Sequence, residues 1–150
     1  MKSILVIIFN SFISPLYSQG LSISTGLEKT VVGTELHFSS GYVTKNNWAL
    51  GAFHQSKMTS ITFESDNRKR ETSWYGLYIN APLANTKKIN VLLQLKTGIS
   101  ENKFIVVVPS IETNINVTKL ISVSLGSSFR YSYPAFSLKT TFRPFNSHKQ

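Results

Sequence analysis

Apolar side chains recur at every second position along most of the chain after residue 20. The clearest run is Lys119 to Tyr131. One face of this run carries Ile121, Val123, Leu125, Phe129 and Tyr131, and the other carries Ser122, Ser124, Gly126, Ser128 and Arg130. A period of two residues is that of a β-strand with two unlike faces. The pattern therefore predicts strands with one apolar and one polar face, and it predicts no amphipathic helix.

The same alternation predicts eight strands in all. They cover Leu21–Glu28, Glu35–Tyr42, Trp48–Phe53, Ser73–Ala81, Ile89–Lys96, Phe104–Thr113, Lys119–Tyr131 and Phe136–Arg143. The pattern leaves the facing of the third, fourth and sixth strands open. A chain of short alternating strands without helices predicts an all-β fold.

The connections between these strands predict an up-and-down order. Thr44–Asn47, Leu83–Lys87 and Asn114–Thr118 are short and rich in Asn and Thr, as tight turns are. The only long, charged link is Lys57–Glu71, whereas the other links, at 30–33, 99–103 and 132–134, are short. If the mature chain begins in the periplasm, the Asn-rich turns lie on that side and the long link lies outside the cell.

The first residues have the order of a secretory signal. Lys2 precedes an apolar run, which is followed by Pro15 and then by the small residue Ser18. The run is interrupted by polar residues and is too short to span a bilayer. We expect a signal peptide over 1–18, cleaved near Ser18, and one mature domain over 19–150. The alternative is a buried N-terminal strand or helix.

Composition narrows the functional classes. The chain has 150 residues, which is enough for one domain, and it has no cysteine, hence no disulfide and no thiolate metal site. Its formal charge is +9. For an exported protein this charge favours anionic lipid headgroups or lipopolysaccharide phosphates over nucleic acid as partners. A solvated basic surface with no specific partner is the alternative.

These features together resemble those of the small eight-stranded outer-membrane β-barrels, the family of the OmpA transmembrane domain and OmpX-like barrels. The resemblance is carried by the signal Lys2–Ser18, the alternating strands, the run Trp48–Gly51 and the aromatic-rich last strand Phe136–Phe145. It implies an eight-stranded antiparallel up-and-down transmembrane barrel in the cell outer membrane.

A membrane barrel of this size would hold its polar faces inside. Eight strands enclose an interior that side chains just fill, and lipid requires a closed sheet with apolar side chains outside. The predicted interior polar network is Glu28, Glu35, His37, Gln94, Lys96, Arg130, Lys139 and Arg143, with Glu112 if the sixth strand faces that way. We expect these charges to pair with one another, because an unpaired buried charge is costly.

Two further groups of side chains suit a membrane surface. The aromatic residues near predicted strand ends fit interfacial girdles, with an ordinary aromatic core as the alternative. They are Trp48, Trp74, Tyr75, Tyr78, Phe129, Tyr131, Tyr133, Phe136, Phe142 and Phe145. The basic run Arg68, Lys69 and Arg70 is a candidate contact for a lipopolysaccharide phosphate on the outer side, with a solvated loop as the alternative.

No motif points to catalysis or to a cofactor. The three histidines, His37, His54 and His148, lack metal-ligand spacing, and neither a GxSxG nor a phosphate loop occurs. We therefore predict no cofactor, no metal and no enzymatic activity. If the chain were a lipid-modifying enzyme of the outer membrane, His54 with Ser56 would be the pair to inspect.

The leading hypothesis is a non-enzymatic, non-conducting outer-membrane barrel, acting as a structural element of the envelope or as a subunit of a larger outer-membrane complex. The alternatives are a soluble exported barrel similar to lipocalins, with a small apolar ligand inside, and the lipid-modifying enzyme. The outer-membrane barrel and the lipocalin-like barrel differ in which side chains face the interior. A soluble barrel buries Val123, Leu125 and Leu138, whereas a membrane barrel buries Lys139 and Arg143.

Overall fold

The structure is a computed structural model that describes residues 20–31, 33–58, 73–100, 105–130 and 133–144. The predicted signal peptide and the basic run Arg68 to Arg70 lie outside these ranges, so the predictions made for them are not tested. Among the described residues, no helix is long and apolar enough to cross a membrane.

Within the described ranges, eight strands form one closed antiparallel barrel in which each strand pairs with its sequence neighbours. The strands are β1 (Gly20–Thr30), β2 (Gly33–Val43), β3 (Ala49–Lys57), β4 (Ser73–Asn85), β5 (Ile89–Ser100), β6 (Ile105–Asn116), β7 (Ile121–Arg130) and β8 (Tyr133–Phe142). Pairing of β1 with β8, from Ile23 opposite Phe142 to Lys29 opposite Phe136, closes the barrel. The predicted eight-stranded up-and-down barrel is confirmed.

Several strands run further than the alternation predicted. β4 continues through Pro82 to Asn85, past an irregularity between Pro82 and Ala84, so the predicted turn at Leu83–Lys87 shrinks to residues 86–88. β6 likewise reaches Asn116. Residues 82–85 contain a proline and an asparagine, and residues 114–116 contain two asparagines, which obscures a strand in sequence although neighbouring strands supply backbone partners.

The two ends of the barrel differ. We call the end with links 44–48, 86–88 and 117–120 the turn end, and the end with links 31–32, 58–72, 101–104 and 131–132 the loop end. The turns are held by local bonds: the Thr44 amide donates to the Trp48 carbonyl at 2.8 Å. Asn47 adopts a φ of 61°, a left-handed conformation that Asn tolerates well. Local hydrogen bonds and a left-handed residue therefore stabilise the turn conformations at this end.

The apolar faces point outward and the polar faces point inward. Leu125 and Leu138 are 54% and 53% exposed, whereas Lys139 is 3% exposed. Burial alternates in this way along every strand. A soluble lipocalin-like barrel requires the reverse arrangement, so that alternative is wrong for this fold. An apolar exterior around a closed polar interior is the arrangement that hydrocarbon demands.

Pairing is uneven around the barrel. β5 and β6 pair over their length from Ile89 to Ile99, but β6 pairs with β7 only from Ser110 to Asn116. The pairing begins one residue after Pro109, which has no N–H to donate. Pro109 thus lies just beyond the end of the β6–β7 ladder that is nearer the loop end.

Candidate functional site

The barrel interior collects the polar side chains that the alternation assigned to it. Glu28, Glu35, His37, Gln94, Lys96, Arg130 and Lys139 are buried, and Glu112 is buried on β6, which settles the facing that the sequence left open. Arg143 lies just after β8, partly buried, at the turn end. The functional role of this interior network stays a prediction.

Interior charges are paired. Lys96 Nζ lies 3.0 Å from Glu28 Oε2. Arg130 Nη1 lies 2.8 Å from Glu35 Oε2. Nearer the middle of the barrel, Lys139 Nζ contacts Glu112 Oε1. Each pair joins strands that are not neighbours in the sheet: Lys96 and Glu28 tie opposite walls together across the axis, whereas Lys139 and Glu112 bridge the one strand between β6 and β8.

Amide side chains link these pairs into a network. Gln55 Nε2 donates to Glu35 Oε2 at 2.7 Å, while Lys96 donates to Gln55 Oε1 at 3.4 Å. Gln94 Nε2 donates to Asn80 Oδ1 at 2.9 Å. Since buried polar groups must find partners inside the protein, these amides lower the cost of enclosing charge.

Aromatic rings fill the interior towards the loop end. Phe53 meets Trp74 edge-on, with ring centroids 4.5 Å apart. The Trp74 ring also carries two cations: Lys96 Nζ lies 5.5 Å from its centroid and Arg130 Cζ lies 4.7 Å from it. Desolvated cations over an indole face are favourable. The interior is therefore a packed plug of charges and rings at this level.

Two aromatic residues lie where the girdle hypothesis did not place them. Trp74 is 1% exposed and Tyr78 is 6% exposed, both inside the barrel. Tyr78 fits because Gly41 and Gly51 oppose each other beside it; a Cβ at Gly51 would come within 2.7 Å of Tyr78 Cε1. The girdle hypothesis is wrong for these two residues.

The other described residues of the predicted aromatic girdles face outward, near one end or the other. Trp48 and Phe142 lie at the turn end, and Tyr75, Phe129, Tyr133 and Phe136 lie at the loop end. This is where interfacial rings sit in membrane barrels. Tyr131 and Phe145 lie outside the described residues.

Sequence reasoning missed several interior residues, above all Phe53, Gln55, Trp74 and Asn80. A sign was present in β3, where Ala49, Gly51, Phe53 and Gln55 share one face by alternation. The Phe53 ring on that face, and the Trp74 and Tyr78 rings on the inward face of β4, hid its polar character. Counting Gln and Asn at alternate positions would have identified the inward face.

The two described histidines, His37 and His54, point to opposite sides of the barrel wall. In the part of the chain that the structure describes, no group of three or more His, Cys, Asp or Glu side chains could hold a metal ion. His37 lies inside, 3.2 Å from Ser39 Oγ through Nε2. His54 and Ser56 both point outward from β3, and no hydrogen bond joins them. His148 is not among the described residues.

The turn end opens into a funnel. Its volume is about 700 Å³, and its walls include Lys45, Lys87 and Arg143. Further inside lies a cavity of about 30 Å³ that Tyr78 and Lys139 help to line. That volume is close to the space one water occupies in the liquid. The opening thus narrows sharply before the level of the ion pairs.

Comparison with known proteins supports the fold. No protein-family model matches the chain, and no curated protein matches it. Among solved structures, the chain is similar to one from "De novo design of transmembrane beta-barrels", with a TM-score of 0.67, 6% identity, and 83% of this chain and 94% of that chain covered.

It is also similar to the solution NMR structure of the de novo designed TMB2.3, with a TM-score of 0.66, 8% identity, and 84% and 94% of the two chains covered. At such low identity the likeness concerns the fold alone. The chain thus has the fold of a transmembrane eight-stranded β-barrel.

Proposed function

We propose that the protein is a plugged, non-conducting barrel of the bacterial outer membrane. It acts there as a structural element of the envelope or as a small subunit beside a larger outer-membrane complex, without enzymatic activity. The observation that carries the proposal is the interior filling at the level of Trp74, where two cations lie on one buried indole. The proposal agrees with the resemblance of the sequence to OmpA- and OmpX-like barrels.

Ion passage is opposed at two levels. The funnel leads to a cavity of about 30 Å³, and Lys139 and Glu112 contact each other beside it. Beyond them, Lys96, Phe53 and Trp74 are almost fully buried. An ion could cross only by separating paired charges in a low-dielectric interior, which costs several kcal/mol. This supports a structural rather than a transport role.

Short links at the loop end support a role without receptor function. Residues 31–32, 101–104 and 131–132 are the whole of three links, and only 58–72 is long. Recognition residues usually lie on longer loops. Arg68, Lys69 and Arg70 belong to the long link, and their charge supports contact with lipopolysaccharide phosphates.

The outer-membrane assignment rests on the apolar exterior together with the signal pattern before Ser18. Its test is to express the full chain in a Gram-negative host, fractionate the membranes, and compare heated with unheated samples on a gel. We expect outer-membrane recovery and a heat-dependent mobility shift. Recovery in the soluble periplasm would contradict the assignment.

The non-conducting role is tested by placing the purified barrel in a planar lipid bilayer. The mobility shift serves as the control that the protein used is folded. We expect no stable single-channel current from the folded protein. Steady unitary currents would reject the plugged barrel, and hydrolysis of phospholipid by the unmodified protein would reject the non-enzymatic part.

A further inference from the structure

The funnel at the turn end has a surface that the envelope role does not use. It is formed by the three turns and by the end of β8, and its lining includes Lys45, Lys87, Lys119 and Arg143 together with the side-chain amides of Asn85 and Asn116. Four cationic side chains from four separate segments therefore converge on one opening.

No carboxylate lines this funnel among the described residues. Glu28 and Glu35 pair with cations towards the loop end, and Glu112 is engaged by Lys139. The chain has seven acidic residues, and the other four belong to the links 58–72 and 101–104, which connect strands whose described ends lie at the loop end. Among the described residues, the turn end is thus a concave region lined by cations without carboxylates, which concentrates anions.

Arg143 is the innermost cation of the funnel, since of the four cations it alone also lines the inner cavity. Its backbone N–H donates to the Leu120 carbonyl at 2.8 Å, which anchors the residue to the turn between β6 and β7. Its Nε is buried and has no hydrogen-bond partner. Burial also lowers the pKa of Arg143, because desolvation disfavours the charged guanidinium. A bound anion would supply the missing acceptor and offset that desolvation.

The chemistry of the lining favours phosphate over a carboxylate. A guanidinium presents parallel N–H donors that match two phosphate oxygens, and ammonium groups complement the remaining charge. Asn85 and Asn116 also line this space, and Asn116 Nδ2 donates to the Lys87 carbonyl at 3.3 Å. A carboxylate has only two oxygens and one charge, so it would leave several of these donors unused.

We propose that the turn-end funnel binds a phosphate group, with Arg143 at its floor and Lys45 and Lys87 at its rim. Two sources carry this chemistry: the headgroup of an anionic phospholipid in the adjoining leaflet, and a soluble phosphate or phosphomonoester. Phosphate binding at this site does not depend on whether the barrel conducts ions. The phosphate proposal can therefore be rejected without rejecting the envelope role, and the envelope role can be rejected without rejecting it.

The test uses the full chain purified from membranes in a zwitterionic detergent. Inorganic phosphate is titrated at constant ionic strength while amide chemical shifts are recorded by NMR. In a second arm, micelles contain increasing amounts of phosphatidylglycerol in place of phosphate. Saturable shifts at residues 86–88, 117–120 and 143 are expected in at least one arm. Saturation in the first arm identifies a soluble ligand, and saturation in the second alone identifies a lipid headgroup.

The chain offers a matched pair of controls. Lys87 lines the funnel, whereas Lys88, the next residue in the same turn, does not. Lys87→Gln should weaken binding several-fold more than Lys88→Gln, although both remove one charge. Arg143→Gln should weaken binding about tenfold or more, since charge-assisted hydrogen bonds are lost, and Arg143→Lys should recover part of it.

The heated and unheated gel shows that each variant is folded before it is titrated. Equal effects of Lys87→Gln and Lys88→Gln would mean diffuse surface attraction and would overturn the proposal. Absence of saturable shifts in both arms, or unchanged affinity in folded Arg143→Gln, would overturn it as well.

Discussion

At the scale of single residues, the interior depends on charges that have no access to water. Lys96 is 1% exposed, and its ammonium is held by Glu28 and Gln55 while lying near Trp74. A buried pair of this kind is not itself strongly stabilising compared with apolar residues of similar volume. Removing one partner is costly, because the other is left as an uncompensated buried charge.

Glu28→Gln should therefore lower the free energy of unfolding by about 3–5 kcal/mol. The double variant Glu28→Gln with Lys96→Met should regain most of that loss, since no charge remains unpaired. Lys29→Gln is the matched control: Lys29 is the next residue on β1 and faces outward, so a change within about 0.5 kcal/mol is expected. Urea titrations in lipid vesicles measure all three. A double variant less stable than Glu28→Gln would contradict this account.

At the scale of the strand, alternation was enough to predict all eight elements, and alternation together with the membrane hypothesis predicted the inward face of most of them. β7 and β8 show why: Ser124 and Lys139 lie inside while Leu125 and Leu138 lie outside, one residue apart. Alternation failed where residue type was ambiguous. A ring such as that of Tyr78 suits both a girdle and a plug, and the glycines beside it, Gly41 and Gly51, make room for it inside the barrel.

Pairing partners could not be predicted from the sequence. Lys96 and Glu28 are 68 residues apart, and their contact follows from the register of the closed barrel. A shift of one residue in any ladder would turn the polar face outward, so the register is strongly determined. No local sequence pattern, however, predicts which residues pair. The strand ends at Asn85 and Asn116 escaped prediction for the same reason: neighbouring strands determine them.

The direction of the apolar face can be tested at one strand. Leu125 lies in the middle of β7, opposite Thr113 and Leu138, and faces outward. Leu125→Arg should destabilise the folded barrel by about 2–4 kcal/mol in lipid vesicles, because a cation is placed near the bilayer midplane. Leu83→Arg, at an exposed position close to the turn end, should cost about 0–1 kcal/mol. Urea unfolding gives both values.

Leu125→Ala controls for the loss of the leucine itself and should cost less than Leu125→Arg. If arginine were accepted equally at Leu125 and Leu83, the outer face would not lie in hydrocarbon. The depth dependence, rather than either value alone, is the decisive measurement.

At the scale of the whole molecule, closure makes the barrel cooperative. Every strand has two neighbours, and the seam between β1 and β8 completes the ring. The strand prolines avoid this seam: Pro109 precedes the first β6–β7 pair, Pro134 lies beyond the last β1–β8 pair, and Pro82 lies at the irregularity in β4. Proline is thus confined to places where a backbone donor is not required.

A proline within the seam should prevent closure. Leu138 pairs with Leu27 on one side and Leu125 on the other, so proline there removes an N–H from the ladder. Proline within a regular element costs about 3 kcal/mol or more. In lipid this cost is larger, because no water replaces the lost donor at the unpaired carbonyl. Leu138→Pro should therefore abolish the heat-dependent mobility shift of the entire chain, whereas Leu138→Ala should retain it. A shift that persists in Leu138→Pro would mean that β1 and β8 need not pair, and that the wall of the barrel can remain open in the membrane.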